Sequence, residues 1–289
     1  MSARTWTTLE LLKTTAEYLA GRRLEAPRLA AERLLAHVLG CRRVDLYLAT
    51  EKPVEEAALA SYRGLVRAYA AGVPLQYVVG ETEFMGLGLR TDRRALIPRP
   101  ETEILVDAVQ KRLRDARAPI AVLELGAGSG AIAVALAAHM PQVEVWTTEA
   151  YPPAACLAAE NARRHGVEAR VHVLVMDRFE ALSPDLAGRM QCVVSNPPYV
   201  TSAEMEALPA VVREHEPTSA LHGGSDGLDF HRYLCSQGLQ FLAPGGTLAL
   251  EIGAAQGGAG RGLMEAAGLC DVTLLRDYAG RDRVLLGTR

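Results

Sequence analysis

The chain has 289 residues, is 49% hydrophobic and carries a formal charge of -3, which is enough apolar material for two domains or for one large α/β domain with an appendage. Its near-neutral balance, with a pI of about 6.2, excludes a global field that gathers nucleic acid or anionic membrane, so a partner must be recognised locally. The cysteines (Cys41, Cys156, Cys192, Cys235, Cys270) are odd in number and scattered without CxxC spacing, and the histidines are equally dispersed, so neither a disulfide framework nor a metal site is expected.

The opening MSARTWTTLELL lacks a basic segment followed by an apolar run, and the longest apolar stretch, AIAVALAAHM, is too short to span a bilayer. A soluble cytoplasmic protein is expected. Helical signals fill residues 1–74. Thr7 or Thr8 caps a helix with Leu9, Leu12, Ala16 and Leu19 on one face, and Gly21 ends it; Pro27 opens a second, with Leu29, Leu34, Leu35 and Val38 inside and Gly40 at its close. A short helix near Val44 to Ala49 and a longer one from about Val54 to Ala71 complete a small bundle, read as a substrate-recognition module. Its arginine pairs, Arg22-Arg23 and Arg42-Arg43, lie near helix ends, where the simplest expectation is solvated capping of the carboxyl termini.

Residues 75–97, with Gly80, Gly86, Gly88 and the alternating EFMGLGLRT, predict a connector containing a β-hairpin. At Ile97-Pro98-Arg99-Pro100-Glu101-Thr102-Glu103 a helix begins, and with it a domain over residues 98–289. From Ile120 the runs IAVLEL, VEVWTT, ARVHVLV, QCVVS and GTLALEI alternate with helical stretches near 130–139, 153–165, 228–242 and 255–267. This rhythm predicts an α/β fold with a parallel sheet covered on both faces and ligands outside the carboxyl ends of its strands. The tail CDVTLLRDYAGRDRVLLGTR leaves no room for a helix between its two strand-like runs, so they should pair antiparallel about Tyr278-Ala279-Gly280-Arg281.

Three places in that second domain carry chemistry. In LELGAGSGA, the turn Gly126-Ala127-Gly128-Ser129-Gly130 lets a ligand lie against bare main chain at a helix amino end. Gly126, Gly128 and Ala131 also satisfy the dinucleotide pattern, and Glu149, ending the next strand, can accept hydrogen bonds from ribose in either type of cofactor. A nucleoside-containing cofactor is therefore expected, its kind still open. After the third strand, Asp177 can accept from an adenine amine and Phe179 can pack on its ring, although a loop aspartate beside a core phenylalanine reads equally well.

The fourth strand ends in SNPPYV. Two prolines cannot donate to a sheet ladder, so the strand stops and Asn196 is held rigidly at its end. The Asn196 side-chain oxygen and the Pro197 carbonyl can accept both hydrogens of a planar NH2 group and aim its nitrogen; Pro198 stiffens the mount and Tyr199 can flank the plane. The following segment, Thr201 to Phe230, is expected to form a wall of the substrate site. Its Glu204, Glu206, Glu214, Glu216, Asp226 and Asp229 outnumber its one arginine, Arg213, which disfavours DNA or RNA and suits a basic protein loop.

Taken together, PRLAAERLLAHVLG, GVPLQYVVG, ALIPRPETEILV, LELGAGSGAIAVALA, NARRHGV, SNPPYV, EPTSALHGGSDGL and RDYAGRDRVLLG resemble the protein-(glutamine-N5) methyltransferases that modify peptide chain release factors, over almost the whole chain. The resemblance implies a Rossmann-like methyltransferase sheet, mostly parallel with an antiparallel last strand, behind a small N-terminal helical bundle. It implies S-adenosyl-L-methionine held by Gly126, Ala127, Gly128, Ser129, Gly130 and Glu149, with Asn196 beside it. Asp177 and Arg178 would lie at the adenine edge, Phe179 substituting for the aromatic that relatives often show at position 178. Asn196, Pro197, Pro198 and Tyr199 would hold the glutamine of a release factor's Gly-Gly-Gln loop, with Asn196, Pro197 and Tyr199 serving catalysis by orientation, since no general base is evident. NPPY is shared with DNA adenine methyltransferases, and a sister family methylates a ribosomal-protein glutamine; IPRPETE favours the release-factor branch. An NAD-dependent dehydrogenase is disfavoured by NPPY and the antiparallel tail, and a non-catalytic binding module by the intact cofactor turn together with NPPY. A monomer without metal, membrane or direct nucleic-acid partner is expected.

Overall fold

Residues 5–117 and 119–289 are described by a computed structural model, and the chain divides into two units, Met1–Gly80 and Glu81–Arg289. The first is a helical bundle. Helix α1 (Thr8–Ala20) starts at Thr7, whose hydroxyl accepts from the Glu10 amide while the Glu10 carboxylate accepts from the Thr7 amide, a reciprocal cap that satisfies two free donors. It buries Leu11, Leu12, Thr15 and Leu19 and leaves Leu9 45% exposed, so the apolar stripe is rotated from the expected one. Helix α2 (Pro27–Leu39) is entered through Pro27 and left through Gly40 at φ +60°; it buries Leu34 and Leu35 and leaves Leu29 at the rim.

Helices α3 (Asp45–Leu48) and α4 (Glu56–Ala70) follow, and a fifth, α5 (Leu75–Val79), takes residues read as extended connector. No glycine interrupts the chain between Pro74, its N-cap, and Gly80, its left-handed C-cap, so nothing prevents a helical turn there. Leu19, Leu34, Leu35, Leu46 and Tyr62 form the bundle core. Glu32 is buried beside it, and Arg43, Arg28 and the Tyr47 hydroxyl all meet its carboxylate. Arg43 is thus an ion-pair partner rather than a solvated cap, because an unpaired buried carboxylate is costly.

The second unit opens with the expected hairpin, β1 (Glu81–Phe84) and β2 (Leu87–Arg90), and then α6 (Thr102–Leu113). The alternating elements are β3 (Ile120–Leu125), α7 (Ala131–His139), β4 (Val143–Glu149), α8 (Pro152–Arg164), β5 (Val171–Val175) and β6 (Met190–Ser195). Two short helices not foreseen, α9 (Ser202–Ala207) and α10 (Ala210–His215), fold the segment after NPPY. Then come α11 (Asp229–Gln237), β7 (Leu242–Glu251), α12 (Gly257–Ala266), β8 (Cys270–Arg276) and β9 (Asp282–Thr288). The sheet order is β5-β4-β3-β6-β7-β9-β8, parallel except that β9 runs antiparallel to both its neighbours. Alternation along β3 sorts the core: Ile120 and Val122 join Leu105, Val109 and Leu136, while Leu123 and Leu125 join Leu234, Phe241 and Met264.

Gly130 links the turn after β3 to this packing. It sits at φ +81°, and a Cβ there would lie 3.0 Å from Ala158 Cα and 3.1 Å from Ala158 Cβ. Gly130→Ala should therefore lower the free energy of unfolding by about 1–2 kcal/mol from backbone strain, with the contact adding to it. Urea unfolding of the full chain measures this, and an unchanged midpoint would contradict the assigned close approach.

Candidate active site

β3 is central, with β4 and β5 on one side and β6 and β7 on the other, so the chain reverses direction across the sheet at the β3–β6 pair. Ligands in such sheets bind at this switch point. The two strand ends are tied: Ser195, fully buried, donates from Oγ to the Leu125 carbonyl at 2.8 Å. The glycine turn and Asn196 therefore emerge side by side, and a cavity of about 500 Å³ opens there, lined among others by Gly126, Ala127, Gly128, Ser129, Glu149, Asp177, Arg178, Asn196 and Pro198.

The turn is built without side chains in the way. Gly126, Gly128 and Gly130 all have positive φ, and the Gly126 and Ala127 amides both donate to the Thr148 carbonyl. Gly130 itself lies outside the lining, against Ala158. The Glu149 carboxylate accepts from the Gly128 amide through Oε2 and the Tyr151 amide through Oε1, each at 2.9 Å, which fixes its orientation at the cavity. Asn161 of NARRHG, wholly buried, donates to the Ser129 and Arg90 carbonyls and accepts from the Arg90 amide, stapling the turn to β2. Sequence reasoning missed this role, although an asparagine on the buried face of an amphipathic helix was a visible signal.

Beyond β5, Asp177 is exposed at the cavity. Arg178, at φ +48°, lines the cavity and lies over the rings of Tyr233 (5.0 Å) and Phe230 (5.7 Å). Phe179 corrects the sequence reading: it is buried in the core, edge-on to Phe241 at 5.4 Å, and does not line the cavity. Burial of the whole ring favours that position over a half-solvated one. The aromatic residues that do line the cavity are Tyr151 and Phe230.

At the end of β6, Asn196 and Pro198 line the cavity, whereas Pro197 and Tyr199 do not. Asn196 Nδ2 donates to Thr102 Oγ1 (3.0 Å), Thr102 Oγ1 donates to Glu251 Oε2 (2.7 Å), and the Tyr199 hydroxyl donates to Glu251 Oε1 (3.2 Å). Tyr199, expected to flank a planar group, is thus tied by its hydroxyl to a buried carboxylate outside the cavity. Burial pushes the Glu251 carboxyl up to about 7, and the Thr102 hydroxyl and the Arg283 charge hold it from rising further. The Tyr199 phenol is raised well above its ordinary range by burial first and by Glu251 second. Gly223 and Gly227 press on the NPPY backbone: a Cβ would stand 2.5 Å from the Pro198 carbonyl oxygen at Gly223 and 2.2 Å from the Tyr199 carbonyl oxygen at Gly227.

The acidic segment is also corrected. Glu216 is buried, accepting from the Ile97 amide and pairing with Arg99; Glu204 caps α9 through Thr201; Asp226 and Asp229 both pair with Arg232. These carboxylates are engaged within the unit, and the segment meets the cavity through Pro217, Ser219, Ala220 and Phe230. Among the described residues no cluster of three or more His, Cys, Asp or Glu can hold a metal ion, and no helix is long and apolar enough to cross a membrane.

Glu124 is the residue the sequence reading passed over. It lines the cavity yet is only 1% exposed, and neither of its carboxylate oxygens has a hydrogen-bond partner among the described residues. Burial lifts its carboxyl to about 8, with Thr147, its register partner on β4, easing the shift from close by. A buried carboxyl without donors is neutralised by a proton or, when ionised, by a cation.

A mostly parallel seven-stranded sheet with one antiparallel strand inserted, a glycine turn after β3 and a carboxylate at the end of β4 facing the cavity is the architecture of an S-adenosyl-L-methionine-dependent methyltransferase. A solved methyltransferase from Pyrococcus furiosus shares the fold at a TM-score of 0.51 and 18% identity, covering 70% of this chain and 89% of that one. Residues 10–80 match the family model of the PrmC N-terminal domain, and residues 100–215 that of the methyltransferase small domain. The release factor glutamine methyltransferase of Geobacter sulfurreducens is 44% identical, over 98% of this chain and 96% of its own. That of Moorella thermoacetica is 42% identical, over 94% of each. The chain belongs to the release factor glutamine methyltransferase family.

The cavity fits that cofactor. Its sulfonium and ammonium groups are cations of the kind that an unpartnered Glu124 would accept, and Glu149, held by two amides, stands ready to accept from a ribose diol beside a turn with bare main chain at Gly126 and Gly128. Between the ordinary glutamate pKa of 4.5 and about 8, the folded cofactor-free chain holds a proton that the unfolded chain has lost, so stability should fall as pH rises across that window. Glu124→Gln should flatten this slope in denaturant titrations run from pH 5 to 8.5. The same slope in both proteins would show that Glu124 is not the group responsible.

Proposed function

We propose that the chain transfers the methyl group of S-adenosyl-L-methionine to the side-chain amide nitrogen, N5, of the glutamine in the Gly-Gly-Gln loop of peptide chain release factors. The observation that carries this reading is Asn196: its NH2 is engaged by Thr102, which leaves its oxygen as the polar group available to a substrate NH2 beside the glycine turn. When bound, the cofactor supplies an electrophilic methyl group on a positively charged sulfur.

The residues of this chain do the rest. Gly126, Ala127, Gly128 and Ser129 would form the floor under the cofactor, with Glu149 at its ribose, Glu124 facing its cationic part, and Asp177 and Arg178 at its adenine edge. Asn196 Oδ1 and the Pro197 carbonyl would accept the two hydrogens of the glutamine amide. An amide nitrogen is a weak nucleophile because its lone pair is delocalised, and two fixed acceptors both polarise its N–H bonds and set the plane in which it reacts. Pro197 and Pro198 lock those acceptors, and Gly223 and Gly227 let the surrounding backbone close on them. The helical unit, expected as a recognition module over residues 1–74, would engage a part of the release factor away from the loop. The protein would work in the cytoplasm as a monomer, on protein rather than nucleic acid.

Purified chain, a release factor and methyl-labelled cofactor should place label on the Gly-Gly-Gln glutamine, located by peptide mass spectrometry. Label on a ribosomal protein or on DNA, with none on the release factor, would reject the assignment. Asn196→Ala should lower kcat about 100-fold, the scale set by loss of orientation at a reacting group, while cofactor binding stays close to that of the parent. Equal turnover would remove Asn196 from the mechanism.

A further inference from the structure

An asparagine amide is nearly symmetric in shape, and its two ends differ in what they offer: the oxygen accepts, the nitrogen donates. Turned the wrong way, Asn196 would present donors to a substrate amide that is itself a donor. We infer that Thr102 and Glu251 are positioning residues that select the orientation of the Asn196 amide, holding its oxygen toward the substrate; this rests on the function proposed above.

The selection follows from counting hydrogens. A threonine hydroxyl has one hydrogen, and Thr102 gives it to Glu251 Oε2 at 2.7 Å. What Thr102 then shows to Asn196 at 3.0 Å is a lone pair, which can be met by Nδ2 and not by Oδ1. The direction is set at Glu251, because an ionised carboxylate only accepts: its second oxygen takes the Tyr199 hydroxyl. Thr102 and Glu251 are buried, at 4% and 1% exposure, and Asn196 is half-buried at the cavity edge, so the bonds among them meet little competition from water. The pieces come from separate stretches of sequence: Thr102 from IPRPETE at the start of α6, Glu251 from the end of β7, and Asn196 and Tyr199 from NPPY.

The charged and titratable groups around Glu251 are Glu101 at the start of α6, Arg283 on β9, Tyr199 itself, and His231 on α11, whose Nε2 is 3.0 Å from the Glu251 carbonyl oxygen. Arg283, paired with Asp277 in the RDYAGRDR turn, favours the ionised form and Glu101 opposes it. If Glu251 takes up a proton, the carboxyl itself becomes a donor to one of its two hydroxyl partners. When that partner is Thr102, its own hydrogen turns toward Asn196 and the amide must reverse. Turnover should therefore fall as pH drops through the Glu251 titration near 7.

The test compares Thr102→Val, which keeps shape and removes the hydroxyl, with Thr102→Ser, which keeps the hydroxyl. Thr102→Val should lower kcat about 100-fold with the KM for S-adenosyl-L-methionine within about threefold, and Thr102→Ser should stay within about threefold in both. Independently of activity, the Asn196 side-chain NH2 of the 15N-labelled full chain, assigned by its loss in Asn196→Asp, should exchange with solvent at least about tenfold faster in Thr102→Val than in the parent or Thr102→Ser. Equal turnover and equal exchange in Thr102→Val, or a serine variant as impaired as the valine one, overturns the inference. If Thr102→Val fails to bind cofactor, the kcat–pH profile decides: the rise through neutral pH should disappear in Glu251→Gln, and its persistence unchanged overturns the inference. A parent protein that labels no release factor would defeat the functional reading, while the exchange comparison still tests the positioning of Asn196.

Discussion

The hydrogen bond from Ser195 Oγ to the Leu125 carbonyl joins the two places on which everything else depends. β3 carries the glycine turn and β6 carries NPPY, and the two strands are neighbours only because the chain crosses back over the first half of the sheet to lay β6 beside β3. The glycine turn at one strand end and Asn196 at the other therefore open side by side on one cavity. The antiparallel β9 serves the same end from the far side: it pairs with β7 and brings Arg283 toward Glu251, under Asn196 and Thr102.

Five buried carboxylates among the described residues show where the fold is finished and where it is waiting. Glu32 in the bundle, Glu216 near the cavity and Asp277 after β8 are matched by arginines, as burial of a charge requires. Glu251 is matched by two hydroxyls and a nearby arginine. Glu124 alone of these five has no hydrogen-bond partner on either oxygen among the described residues, and it is the one that lines the cavity beside the glycine turn. A buried carboxylate left unpaired at a cavity is the group there best suited to meet a cationic ligand.

Much of this was legible in the sequence because it rests on local rules. The caps at Thr7, Gly40 and Pro27, the strand periodicity, the left-handed glycines of GAGSG and the hairpin tail each leave a signature a few residues long. The errors came from choices that tertiary packing makes. Leu9 and Leu29 are apolar and helical, yet lie toward the exposed faces of their helices. Phe179 and Arg178 are consecutive, and only the left-handed turn at Arg178 decides which of them faces the cavity. The carboxylates after NPPY looked like a charged wall, and their arginine partners, Arg99 and Arg232, lie outside the segment in which they were counted. Thr102 and Glu251 stand 149 positions apart, so no spacing rule could have joined them.

The central claim is that Asn196 presents its oxygen, and Pro197 its carbonyl, to the NH2 group of a release-factor glutamine beside the cofactor. A crystal structure of the full chain with the demethylated cofactor product and a release factor tests it most directly. The Gly-Gly-Gln glutamine nitrogen should lie within hydrogen-bond distance of Asn196 Oδ1 and the Pro197 carbonyl oxygen, with Asn196 Nδ2 still on Thr102. A glutamine seated elsewhere in the cavity, or an Asn196 amide reversed toward Thr102, would contradict it.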